Sequence, residues 1–216
     1  GKSQIMGNLG SALHQSGLFD QADETYRQSL VLAMELGDRY GQAQVMNNLG
    51  LLHRHRDELQ SAIESFQSAL TIYRSLGDRQ GESESLSNLA LAFKSTGDFN
   101  RAQALYQESI HLCRELGDHE GEATTLLNLC YLLFERGEYA ATAPLAERAW
   151  NMAETLRLFA VQTKLCWLSG DLALASGAMD AAKDAYAHAR SYAEQAGPPL
   201  VDATDERIRQ RGLQTF

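Results

Sequence analysis

Residues 76–118 read LGDRQGESESLSNLALAFKSTGDFNRAQALYQESIHLCRELGD and contain one complete copy of a pattern that recurs along the chain. The letters LGD open this stretch at 76–78, close it at 116–118 and occur again at 36–38. A further glycine follows each triplet at the same spacing, at Gly41, Gly81 and Gly121. Self-similarity at a fixed period of about 20 to 50 residues indicates units that stack on their neighbours. The forty-residue period therefore predicts a repeat protein.

Each period contains two predicted helices. Leu49 and Leu52 lie on one, and Ile63 and Phe66 lie on the next, at a spacing that places them on one helical face. Glycines that can adopt a left-handed backbone end both helices, and aspartates such as Asp78 stand where a side-chain oxygen can cap the following helix. The sequence thus predicts an all-α fold, an α-solenoid of about five stacked antiparallel hairpins.

The same register predicts the domain organisation. The chain divides into repeats of about 1–37, 38–77, 78–117, 118–157 and 158–197, followed by a short capping helix or tail at 198–216. We expect the first repeat to be truncated, because Gly1 falls inside a predicted helix, so that the chain looks like a piece of a longer protein. Asp57 replaces the turn glycine of the second repeat, which is tolerable because aspartate visits the left-handed region more easily than most residues.

This pattern resembles the tetratricopeptide repeat family, in the forty-residue variety found in Pins/LGN-type scaffolds, kinesin light chains and bacterial signalling proteins. The family's leucine-glycine pair, turn glycine, aromatic, alanine and second aromatic fall on Leu49-Gly50, Gly97, Phe99, Ala102 and Tyr106. The resemblance covers roughly residues 1–196. It implies a right-handed superhelix whose first helices line a concave groove, and a non-catalytic role in holding a partner protein or peptide.

Composition and charge narrow the classes of partner. With 44% hydrophobic and 22% charged residues, the chain is typical of a globular protein, and it contains no apolar run that could span a bilayer. A net charge of −9 opposes binding to a phosphate backbone. We therefore expect a cytoplasmic protein with neither a nucleic acid nor a membrane as partner.

No enzyme, cofactor or metal site is predicted. The glycines recur singly at helix junctions, without the grouping that phosphate binding requires. His53 and His55 point in different directions on a helix, so they do not predict a metal site. The three cysteines are widely spaced among apolar residues and are expected to be small buried hydrophobes, at Cys113, Cys130 and Cys166.

The family's inward-facing positions supply the predicted partner-binding residues. One row consists of asparagines whose carboxamides could bond a ligand backbone, at Asn8, Asn48, Asn88 and Asn128. The other predicted contacts are Gln44, Asn47, Leu51, Arg54, Glu84, Ser87, Leu91, Lys94, Leu127, Tyr131, Phe134, Lys164 and Trp167. In the alternative interpretation, each asparagine ties down its own hairpin, for instance by bonding a carbonyl in the adjacent repeat. The surface is then a solvated face with apolar residues that pack between hairpins. The basic residues precede the aromatic ones, which predicts a peptide that is acidic near repeats two and three and apolar near repeats four and five.

Three functions remain open on the sequence alone. The leading hypothesis is a protein- or peptide-binding module that acts as the scaffold or sensor domain of a larger signalling or regulatory protein. The second is homo-oligomerisation, possible as a homodimer through the truncated N-terminal end, where Met6, Leu9 and Leu13 would be exposed. The third is a receptor that holds a small ligand in the groove.

Overall fold

The computed structural model describes residues 2–213, and within that range every regular element is an α-helix. Gly1, predicted to lie in the first helix, and residues 214–216 of the predicted tail lie outside the described residues. In chain order the helices are α1 (Lys2–Gln15), α2 (Phe19–Glu35), α3 (Arg39–His55), α4 (Leu59–Leu76), α5 (Arg79–Ser95), α6 (Phe99–Leu116), α7 (His119–Glu135), α8 (Tyr139–Thr155), α9 (Phe159–Ala175), α10 (Met179–Ala196) and α11 (Pro198–Gln210). The predicted all-α repeat fold is confirmed.

The chain divides between Gly117 and Asp118 into two compact units. The N-terminal unit contains α1 to α6, and the C-terminal unit contains α7 to α11. Consecutive odd and even helices pack as hairpins within each unit, and successive odd-numbered helices also touch, as α1 touches α3 and α3 touches α5. We call the odd-numbered helices the first helices of their hairpins.

The recurring Gly-Asp pair ends one helix and begins the next. Gly77 has a φ of +69°, in the left-handed region where a side chain would be strained. Asp78 then accepts a hydrogen bond from the backbone N–H of Gly81 at 3.1 Å, which satisfies one of the donors that a helix start leaves free. Asp57, which replaces the turn glycine of the second repeat, has a φ of +60° and so adopts the predicted left-handed backbone.

Small residues allow the paired helices of the N-terminal unit to approach closely. A Cβ atom added at Gly50 would lie 2.5 Å from Cε1 of Phe66, well inside van der Waals contact. The facing helices contribute alanines and aromatic rings that are at most 1% exposed, namely Ala22, Tyr26, Ala62, Phe66, Ala102 and Tyr106. Overpacking such a core is destabilising, which explains why glycine recurs on the first helices.

In the C-terminal unit, α11 packs on α10 and α9. Leu200, Ile208 and Leu213 join the apolar cluster that contains Trp167 and Tyr186, so α11 covers part of that core. The three cysteines of the chain are buried, as predicted. Between residues 2 and 213, no helix combines the length and the apolar character needed to cross a membrane.

Candidate partner-binding surface

A polar pocket of about 200 Å³ opens among the first helices of the N-terminal unit. Its walls come from α1, α3 and α5, with further contributions from the end of α4 and the α4–α5 junction. Five predicted contact residues line it together, namely Asn8, Gln44, Asn47, Asn48 and Glu84. The other polar and aromatic lining residues were not predicted as partner contacts, and they include Ser3, Gln4, Tyr40, Tyr73, Asp78 and Gln80. We call this the polar pocket.

Asn47 links two neighbouring first helices by hydrogen bonds. Its side chain is 4% exposed, its Nδ2 donates to Oε1 of Glu84 at 2.9 Å, and its Oδ1 accepts from Nδ2 of Asn88 at 3.3 Å. Asn48, which is half-buried, makes only a long contact of 3.4 Å from its Nδ2 to Oγ of Ser11. Both carboxamides therefore contact an adjacent repeat, but Asn47 is held by two hydrogen bonds whereas Asn48 is held by one long contact.

Glu84 is the exposed carboxylate of the polar pocket. Its carboxyl group reaches solvent, yet it lies on a surface crowded by neighbouring residues. The resulting desolvation raises the pKa of Glu84, and the hydrogen bond from Asn47 only partly opposes this effect. Neither a lysine, an arginine nor a histidine lines the pocket along the part of the chain that the structure describes. The charge of Glu84 is therefore uncompensated locally.

A basic group lies at the opposite end of α3. Arg54 is half-buried, its Nε has no hydrogen-bond partner among residues 2–213, and burial lowers its pKa. Nearby, Nε2 of His14 lies 2.7 Å from Nδ1 of His55, and burial is the main cause of the lowered pKa of both rings. Three predicted contact residues in the middle of α3 and α5 are half-buried, namely Leu51, Ser87 and Leu91. Lys94, at the basic end, is also half-buried.

In the C-terminal unit, two predicted contact residues are buried, which corrects the expectation that they face a partner. Leu127 is 3% exposed and belongs to the core. Trp167 is 8% exposed, its Nε1 donates to Oγ1 of Thr204 at 3.2 Å, and the guanidinium of Arg207 lies 5.2 Å from its ring centroid. The physical reason is that α11 packs over Trp167.

The other predicted contacts of this unit remain partly accessible. The hydroxyl of Tyr131 donates to the backbone carbonyl of Lys164 at 2.8 Å, and the side chain of Lys164 is exposed. Phe134 is half-buried and packs against Tyr139, with ring centroids 5.4 Å apart. Asn128 is half-buried on α7. Of the three aromatic contacts predicted in this unit, Tyr131 and Phe134 are thus partly accessible and Trp167 is buried.

Asp171 organises a network that the sequence interpretation missed. Its buried carboxylate accepts hydrogen bonds from the Tyr186 hydroxyl at 2.7 Å, from Nη2 of Arg207 at 2.5 Å, and from Nε of Arg211. Burial by itself would raise the pKa of Asp171, but the hydrogen bonds from Arg211, Tyr186 and Arg207 outweigh it and lower the pKa.

The repeat register contained a signal for this network. Arg207 and Arg211 lie forty residues after Trp167 and Asp171, so α11 falls where the first helix of a sixth hairpin would begin. The two arginines therefore occupy positions that were identified as partner-facing in earlier repeats. We call Asp171, Tyr186, Arg207 and Arg211 the arginine network.

No cluster of three or more histidine, cysteine, aspartate or glutamate side chains suited to a metal ion occurs within residues 2–213. The polar pocket instead offers carboxamides, hydroxyls, two tyrosine rings and carboxylates. Such groups recognise hydrogen-bonding and charged ligands.

Among solved structures, the chain is similar to BtubC (BKLC) from P. vanneervenii, with 22% identity over 90% of this chain and 81% of that one and a TM-score of 0.76. It is also similar to a signal transduction ATPase with a tetratricopeptide repeat sensor from Pyrococcus horikoshii, with 17% identity over 98% of this chain and 34% of that one and a TM-score of 0.76. A third similar structure is Rap protein complexed with competence and sporulation factor, with 16% identity over 98% of this chain and 59% of that one and a TM-score of 0.77. The chain thus spans about a third of the ATPase and somewhat over half of Rap protein.

No curated protein sequence matches the chain. At these identities the three structures show a shared fold only. The sequence profile described as tetratricopeptide repeat matches residues 2–75 and 78–155, which is more than half of the chain. The chain therefore belongs to the tetratricopeptide repeat family.

Proposed function

We propose that the chain is a protein- or peptide-binding module and that it engages its partner at the polar pocket of the N-terminal unit. The observation that carries this proposal is that three successive first helices bring five predicted contact residues to one pocket. Carboxamide side chains both donate and accept hydrogen bonds, so they suit the alternating N–H and C=O groups of a peptide backbone.

The accessibility of the asparagines supports this choice of surface. Asn8 is exposed and Asn48 is half-buried with one long hydrogen bond, so both can exchange water for a ligand at small cost. In the C-terminal unit, the neighbouring register positions Trp167 and Asp171 are already bonded to α11. The N-terminal unit is therefore the better candidate for a partner.

The similar structures suggest the wider setting. One of them is described as having a tetratricopeptide repeat sensor, and another holds Rap protein together with competence and sporulation factor. We infer that this chain serves likewise as a scaffold or sensor domain within a larger signalling or regulatory protein, with binding rather than catalysis as its contribution.

The test begins with selection of peptides from a library of random dodecapeptides displayed on phage. Affinity for the selected peptides and melting temperature are then measured on Asn48→Ala, Asn8→Ala and the exposed control Asn100→Ala. We expect the pocket variants to lose about 0.5–1.5 kcal/mol of binding, the net value of a hydrogen bond, with little change in melting temperature. The control should retain full affinity. Unchanged affinity in both pocket variants would contradict the proposal.

A second function, homo-oligomerisation, is favoured by apolar exposure on α1, where Ile5 is 69% and Leu9 is 54% exposed. Of the residues predicted for this contact, Leu13 instead packs against the core beside Tyr26, and Met6 is half-buried. Sedimentation velocity across a range of concentrations separates the two functions. Self-association that Leu9→Lys abolishes would support oligomerisation, and a monomer at all concentrations would exclude it.

A further inference from the structure

We propose that the polar pocket binds a positively charged group of the partner, an ammonium or guanidinium supplied by a lysine, an arginine or a chain's amino terminus. The inference rests on the function proposed above and adds the chemistry of the ligand. It departs from the expectation of a peptide with acidic residues near repeats two and three.

The charges that line the polar pocket all have one sign. Asp78 and Glu84 are its ionisable acids, and none of its lining residues is a lysine, an arginine or a histidine. Asp78 is partly engaged by the N–H of Gly81 as a helix cap. A second anion placed here would be repelled, whereas a cation would be attracted more strongly than in bulk water because the surface is partly desolvated.

Glu84 differs from its neighbour on the same helix. Glu82 is already neutralised by Arg74, whose Nε lies 2.8 Å from its Oε1. Glu84 accepts a hydrogen bond from the uncharged carboxamide of Asn47, and no basic side chain within residues 2–213 forms an ion pair with it. Desolvation without a counter-charge is an unfavourable state for a carboxylate, and a bound cation would relieve it.

The aromatic rings provide a second attraction for a cation. Tyr40 is 49% exposed, and its ring meets that of Tyr73 edge to face with centroids 6.1 Å apart. A cation within about 6 Å of a tyrosine face is attracted by the ring quadrupole. Desolvation and the nearby Glu84 raise the pKa of Tyr73, so its hydroxyl stays protonated at neutral pH. The carbonyl oxygens of Gln44 and Asn48 could accept the N–H groups of the cation.

The opposite end of α3 carries a basic side chain and would attract an acidic residue of the partner. Arg54 lies ten residues after Gln44 on α3, which is about 15 Å along a helix. Its buried Nε has no hydrogen-bond partner among the residues that the structure describes. A partner that reaches both ends would carry an acidic residue about four or five extended residues from its basic group.

The experiment uses the peptides selected on the full chain, each remade with its positive groups removed one at a time. Arginine is replaced by citrulline, lysine by acetyl-lysine, and a free amino terminus by an acetylated one, so the three arms distinguish the sources of the cation. Wild-type chain should lose about tenfold in affinity when the bound positive group is neutralised, the size expected for a hydrogen bond to a charged group. Loss in any one arm supports the proposal.

Two carboxylate variants provide the matched comparison. Glu84→Gln retains the shape of the side chain and an oxygen for Asn47, and it should bind charged and neutralised peptides with equal affinity. Glu82→Gln, on the same helix but outside the pocket, should keep the tenfold preference. If a selected peptide loses affinity for Asn48→Ala but binds the wild-type chain equally well with and without its positive groups, the cation site is wrong and the proposed function stands. If no selected peptide depends on Asn8 or Asn48, both proposals fail.

Discussion

The two units place chemically different groups at equivalent positions of the repeat. In the N-terminal unit, the first helices present carboxamides and an uncompensated carboxylate around an open pocket. In the C-terminal unit, the register positions of Asn47 and Leu51 are occupied by Trp167 and Asp171, and both are bonded to residues of α11. The repeat register therefore determines where a side chain lies, whereas its neighbours determine whether a partner can reach it.

The hydrogen-bond acceptor offered by the first helix also differs between repeats at one position of the second helices, where a tyrosine recurs. Tyr26, Tyr106 and Tyr186 occupy the same place on second helices. Tyr26 donates to Oγ of Ser11, and Tyr186 donates to Asp171. Leu91 stands at the position of Ser11 and Asp171 in the third repeat, so that position offers Tyr106 no acceptor. The residue at this position of the first helix thus decides whether it can accept a hydrogen bond from the buried tyrosine.

The largest effect is expected from removing the centre of the arginine network. Asp171→Ala leaves two half-buried guanidinium groups and the Tyr186 hydroxyl without their shared acceptor. The free energy of unfolding should fall by about 3 kcal/mol, as for breaking a buried ion pair. Thermal and denaturant unfolding would measure it, with the exposed Asp202→Ala as a control on α11. A loss no greater than that of the control would show that α11 is held mainly by apolar contacts.

The same network should respond to acid in one direction. Because the folded state lowers the pKa of Asp171, its contribution is fully present above about pH 4, where the unfolded carboxyl is ionised. It is lost as the pH falls further, through the folded-state pKa. The difference in stability between wild type and Asp171→Asn should therefore be constant from about pH 8 to 5 and shrink below about pH 4. A difference that vanishes already at neutral pH would contradict the assignment.

A smaller effect is expected in the N-terminal unit. Asn47→Ala removes the donor to Glu84 and the acceptor of Asn88, which joins α3 to α5. Because two hydrogen bonds are lost but no ion pair is broken, the loss should be about 1–2 kcal/mol, less than for Asp171→Ala. Urea unfolding of Asn47→Ala beside Asn48→Ala measures it. Equal stability of the two variants would show that Asn47 does not link the repeats.

Local chemistry made much of the fold predictable. The capping role of Asp38, Asp78 and Asp118 and the left-handed backbone at Asp57 depend on interactions within a few residues, which spacing reveals. The grouping of Gln44, Asn47 and Glu84 agrees with the inward-facing positions that the family resemblance implies, because equivalent residues of stacked helices lie side by side. These predictions needed no knowledge of the surrounding structure.

The pairings between side chains could not be predicted in the same way. The register gives the position of a Cα atom, but the bond from Asn47 to Glu84 also depends on rotamers and on the distance between helices. A capping helix was predicted at 198–216, but its polar contacts were not, because Pro198 stands at the position of Asp38, Asp78 and Asp118, so the usual marker of a first helix is absent. The continued register of Arg207 and Arg211 was the only remaining signal.

The repeated Gly-Asp junction also makes the chain divisible by simple recombination. Deleting residues 38–77 would join Gly37 directly to Asp78 and restore the sequence LGD without adding or losing a residue of the junction. The backbone N–H of Gly81 could still donate to the aspartate. The left-handed glycine and the capping aspartate come from different copies, yet each needs only its local partner. Whole hairpins can therefore be gained or lost in forty-residue steps without redesign of the connector, so the length of such an array can change independently of the residues that its surface presents.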